Sequence, residues 1–204
     1  MSDPHAVAKS DLHRYLRSAR EALVWKLDGV SEYDARRPLV ASGTNLLGLV
    51  KHMAGVEADY FGLVFDNPFE GGPQGWEEGA EPNADMWATA DESREYIVDL
   101  YRQVWEHGDQ TIDVLGLGSP GRVPWWPEDR AEVNLHQVLL HVVAELNRHA
   151  GHADILRELI DGSIGLRAAN PNLPDLDETQ WREHHERLEA TARAAADQAG
   201  EPIG

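Results

Sequence analysis

The sequence predicts an all-α protein: a bundle of four main helices with long loops and an extra, more polar C-terminal helix packed outside it. Apolar residues recur at intervals of three and four in four separate stretches, which lays them on one helical face. Glycine- and proline-rich stretches separate the second of these from the third and the third from the fourth, and no useful β-alternation is present. At 204 residues and 42% hydrophobic, the chain suits a single domain over residues 1–204.

The first helix is expected over Asp11–Leu27, where Leu12, Tyr15, Leu16, Ala19, Leu23 and Leu27 share a face. Gly29 ends it, and Arg37-Pro38 marks an extended connection. Thr44 is the expected N-cap of the second helix, which runs to about Phe65 with Leu46, Leu49, Met53, Val56 and Tyr60 on its stripe. His52 sits at the edge of that stripe. From Asp66 to about Ala88 the acidic, Gly/Pro-rich chain reads as a long ordered loop held down by burial of Trp76 and Trp87.

The third helix is expected to begin near Thr89 or Asp91, with acidic residues in its first turn, and to carry Tyr96, Ile97, Leu100, Tyr101, Val104 and Trp105 toward Leu115. Gly116 to Asp129 contains Val123-Pro124-Trp125-Trp126-Pro127, whose prolines argue against regular structure. Its adjacent tryptophans form either a stiff aromatic wall or a plug of the core. The fourth helix, about Glu132–Asp161, aligns Leu135, Leu139, Val142, Leu146, His149, Ala153, Leu156 and Ile160. Beyond Gly162 an Asn/Pro/Leu segment leads to a fifth helix over Thr179–Ala196 and a frayed tail.

Composition narrows the function. The absence of cysteine excludes disulfides, thiolate ligands and a cysteine nucleophile. A formal charge of -18 argues against nucleic acid and anionic membranes as partners. No apolar run is long enough to span a bilayer, and Met1–Lys9 lacks the order of a secretory signal, so a cytoplasmic location is expected. No phosphate loop, dinucleotide fingerprint or nucleophile elbow is present.

Chemistry concentrates on the fourth helix, where His141, Glu145, His149 and His152 fall within a few turns. Glu145, His149 and His152 share a face, with Glu145 beside the apolar stripe and His149 within it. A buried carboxylate needs a cation or a donor. A divalent ion would satisfy it, because carboxylate oxygen and imidazole nitrogen suit zinc, nickel, iron or manganese and an i, i+4 pair spans one coordination sphere. His52 is the candidate third ligand, with Gly48 leaving room one turn earlier. The alternative is a hydrogen-bonded core histidine and a mutual Glu–His pair. Arg157 and Asp154 either orient a ligand, bind a substrate carboxylate or form a helix-surface ion pair. His13, His107, His136, His184 and His185 lack a second ligand at helical spacing and are expected at the surface.

The run Leu139-Leu-His-Val-Val-Ala-Glu-Leu-Asn-Arg-His-Ala-Gly-His-Ala-Asp-Ile-Leu-Arg-Glu158, with Asn45-Leu-Leu-Gly-Leu-Val-Lys-His52 and the Val-Pro-Trp-Trp-Pro loop, resembles the DinB-like superfamily of metal-binding bundles over nearly the whole chain. The branch resembled includes the bundle domain of mycothiol-dependent maleylpyruvate isomerase and thiol S-transferases. In that family a histidine of the second helix and two ligands of the fourth bind the ion; the Glu-x-x-x-His branch matches Glu145 and His149, beside His52, while other members carry His in place of that Glu. The resemblance implies up-down-down-up connectivity and a divalent ion, zinc foremost.

It also implies a reaction in which a low-molecular-weight thiol, activated as thiolate, attacks a small electrophile. Trp125 and Trp126 would then wall the pocket, and His152, His141 and Arg157 are the candidate catalytic side chains. A metal-dependent hydrolase, with His152 or His141 as base, and a non-catalytic metal-binding stress or interaction protein are the alternatives. Fifteen Arg against three Lys suggests a high-GC bacterial genome, for which mycothiol is a fitting thiol. Isomerisation is not expected, since relatives that perform it need a further substrate-binding domain. Pairing as a homodimer is expected of a bundle with exposed apolar edges.

Overall fold

A computed structural model describes residues 3–77, 79–167 and 171–202. The chain divides into two compact units, Met1–Asn170 and Pro171–Gly204. In the first, α1 (Pro4–Trp25) starts earlier than its apolar periodicity indicates. Asp3 accepts from the His5 amide and Pro4 presets the first helical φ, so capping extends the helix beyond its buried face. A single short helix, α2 (Glu32–Arg36), follows with Ser31 as its cap.

Helix α3 (Leu46–Phe61) is capped by Asn45, not by Thr44: the Asn45 side chain accepts from the Gly48 amide at 2.8 Å. It stops at Gly62, and the apolar residues to Phe65 belong to a separate 3-10 turn, Leu63–Phe65. Helix α4 (Arg94–Val114) begins later than expected, at the Ser93 cap. Helix α5 (Leu135–Asp161) opens on a reciprocal Asn134/Gln137 capping box and closes at Gly162 with φ 74°.

Val123–Pro127 is irregular, as its prolines indicate, but the chain on either side of it forms a small antiparallel pair, β1 (Pro120–Arg122) and β2 (Glu132–Asn134), with Gly121 opposite Val133, so that residues 132–134, expected to open the fourth helix, are strand instead. Pro124 and Pro127 fall outside the strands, and Gly121 lets the pair pack closely on Phe65 and the Val64 carbonyl.

Side-chain pairs fix the helix directions. His13 and Arg20 of α1 meet Asp109 near the end of α4, while Arg94 at its start reaches the Leu27 carbonyl, so these two helices are antiparallel. Lys51 pairs with Glu92, Glu57 with Tyr101, and Asn67 with Thr111, so α3 and α4 run parallel. Lys26 reaches Asp154, bringing the ends of α1 and α5 together, and the Tyr60–His141 and His52–His149 contacts run α5 against α3. The order is up-down-down-up.

The core contains Leu16, Leu23, Leu49, Met53, Phe61, Ile97, Leu139 and Leu146. Helix α3 is buried on nearly every side, so even its Lys51 and Glu57 are interior and paired. His13, expected at the surface, is buried instead, because Asp109 engages its Nε2 at 2.8 Å.

In the second unit α6 (Glu178–Ala199) starts from an Asp177/Gln180 capping box and ends at Gly200, with no buried residue in it. Asn170 of the Asn/Pro/Leu segment, and residues 203–204 of the tail, lie outside the described residues. Among the described residues no helix is long and apolar enough to cross a membrane.

Candidate metal centre

The antiparallel packing of α3 on α5 brings together residues far apart in sequence. His52, Glu145 and His149 each offer a ligand atom, and these atoms lie within 4.8 Å of one another. His149 Nε2 is 2.9 Å from Glu145 Oε1, the i, i+4 contact expected from helical spacing. The rings of His52 and His149 stand edge to face with centroids 4.9 Å apart.

His149 is buried, and its Nδ1 has no hydrogen-bond partner among the described residues. Burial, with the neighbouring His52, holds its pKa below the usual histidine value against the opposing pull of Glu145. The imidazole is therefore neutral at pH 7, the form that donates a lone pair to a cation. One carboxylate and two imidazoles, partly shielded and converging from two rigid helices, form a donor set that fits a divalent ion.

The long connection before α4 closes one side of this centre. His52 Nδ1 is 2.6 Å from Asp85 Oδ2, and the Trp76 ring lies 5.7 Å from the His52 ring, centroid to centroid. Trp76 is anchored by Nε1 donating to Asp59 Oδ2 at 2.6 Å, and the same burial raises the Asp59 carboxyl pKa. Trp76 thus holds the connection down, as expected. Trp87 does not: it is 49% exposed, and its carbonyl, not its ring, is the anchor, accepting from buried Lys51 at 3.0 Å. Gly48 leaves room, as its size suggested, but the room is occupied by the Met86 carbonyl.

Toward the start of α5 an aromatic group adjoins Glu145. Trp126 Nε1 donates to the Tyr60 hydroxyl at 3.1 Å, and His141 packs against both rings. Trp125 meets Tyr60 edge-on at 5.2 Å and is 46% exposed. Burial is the chief cause of a raised Tyr60 pKa, and the charge of Glu145 adds to it.

His152 is exposed, its ring 5.4 Å from that of His149. Arg157 faces other duties: it donates to Asp161 at 2.9 Å and to the Lys26 carbonyl at 2.9 Å, while Asp154 pairs with Lys26. Sequence reasoning missed Asp85 and Tyr60. Asp85 lies in a connection without periodicity, whereas Tyr60 was visible on the α3 stripe but read only as core.

A family model described as mycothiol-S-transferase matches residues 11–162, a span that includes each of these groups. No curated protein matches the chain.

Proposed function

Because the chain belongs to the mycothiol-S-transferase family, within the DinB-like superfamily, we propose that it transfers a small electrophile onto a low-molecular-weight thiol of the mycothiol type. His52, Glu145 and His149 would hold a divalent ion, zinc being the first candidate and nickel, iron or manganese the others. The observation that carries this reading is the convergence of these donors within 4.8 Å. When bound, such an ion supplies the positive charge that favours thiolate over thiol at neutral pH.

The chain's own residues do the rest. The α3/α5 packing fixes the donors, and Trp125, Trp126 and Tyr60 give an electrophile an apolar surface beside Glu145. His152, exposed next to His149, is placed to accept the proton released by the thiol. Sulfur then bonds to the electrophilic carbon, and the leaving group departs with its bonding pair. We place this reaction in the cytoplasm, where such thiols are kept reduced.

Elemental analysis of untagged protein, beside His52→Ala, Glu145→Ala and His149→Ala shown to be folded, tests the reading. The parent is expected to carry near-stoichiometric metal, each variant to lose it, and turnover of electrophiles to require added thiol. A parent without metal, even after reconstitution, would leave only hydrogen-bonded core histidines. Turnover with water alone would identify a hydrolase instead.

A further inference from the structure

We infer that Asp85 is a positioning residue for His52, holding its imidazole as the Nδ1–H tautomer so that Nε2 keeps the lone pair that ligation uses. The inference rests on the proposed metal centre and adds to it a group supplied by a connection outside the helices. Asp85 Oδ2 lies 2.6 Å from His52 Nδ1, a hydrogen-bond distance at which a carboxylate acceptor calls for the N–H to be on Nδ1. The side chains are 22% and 16% exposed, which limits competition from water.

The placement of Asp85 is built, not incidental. It lies in a single 3-10 turn, Ala84–Met86, entered through Asn83 in the left-handed region at φ 62°. The next residue, Met86, sets its carbonyl against Gly48, where any Cβ would overlap it. The chain that follows is pinned by Lys51, which donates to the Trp87 carbonyl at 3.0 Å and to Glu92 at 2.9 Å. On the other side of His52, Trp76 sits against Gly55 and bonds Asp59. The connection is therefore tied to α3 above and below the histidine, and Asp85 is held where it meets Nδ1. A carboxylate on the far nitrogen of a ligating imidazole fixes ring orientation and raises its basicity.

The test uses full-length Asp85→Ala and Asp85→Asn. Zinc affinity is measured by competition with a chromophoric chelator, and ¹⁵N spectra of the metal-free proteins report the His52 tautomer. Asp85→Ala is expected to weaken zinc binding by about 10- to 100-fold. It should also move His52 away from the Nδ1–H form. Asp85→Asn keeps an acceptor without the charge, should lose less affinity, and carries the test if the alanine variant unfolds. With a parent that binds zinc, an unchanged tautomer and unchanged affinity in Asp85→Ala would overturn the inference. With a parent that binds none, a tautomer change in Asp85→Ala would sustain the positioning role while removing the metal centre.

Discussion

Arg20 of α1 keeps its charge in the interior because two other helices, α3 and α4, supply partners for it. Burial works against that charge, but Glu57 at 2.8 Å and Asp109 at 2.6 Å outweigh it and raise the arginine's pKa above its ordinary value. Tyr101 completes the group by donating to Glu57 at 2.6 Å. Glu57→Gln keeps the shape and removes the countercharge, leaving the guanidinium half-compensated. The expected cost is about 3 kcal/mol or more. Urea unfolding checks it, and an unchanged midpoint would show that solvent reaches this group. Of this network only Tyr101 was legible in the sequence, as a core residue of its helix; Arg20, Glu57 and Asp109 are ordinary surface residue types whose partners come from other helices. Glu145 and His149 were legible because one helix carries both at a spacing that forces them together.

Helix α3 serves as the bed on which the long connection rests. Gly48, His52, Gly55 and Asp59 follow one another by four, three and four residues, a single face. Two of the four lack side chains, which lets the Met86 carbonyl and the Trp76 ring approach the helix closely. Gly55→Ala favours the isolated helix slightly but places a methyl inside the Trp76 ring. The expected net cost is about 1–3 kcal/mol. Tryptophan emission should shift to the red as Trp76 leaves its seat, and an unshifted spectrum with unchanged stability would show that the seat is loose.

The main helices were legible because each buries a long periodic face. The strand pair and α2 were not: strands of three residues and a helix of five are too short to show periodicity. The ends of helices were misplaced wherever capping, not burial, sets them, as at Asp3 and Asn45.

The molecule as a whole carries its candidate chemistry in one unit. Residues 11–162, matched by the family model, lie within Met1–Asn170, and the segment Pro171–Gly204 forms a unit of its own. A chain ending at Asn170 is expected to give a cooperative helical melt and the same metal content per chain as the parent. Circular dichroism and elemental analysis decide this, and loss of either would make the C-terminal unit part of the working protein.

The parallel run of α3 and α4 has one further consequence. Two consecutive helices pointing the same way oblige the chain to travel back along the full height of the first, about 24 Å for the 16 residues of α3, before the second can begin. A bundle of alternating direction needs no such journey, since a short turn suffices. Here the return path passes the middle of the bundle, at the level of His52, and there it delivers Asp85. The topology thus converts an obligatory detour into a source of side chains at mid-height, where neither mouth of a bundle can reach.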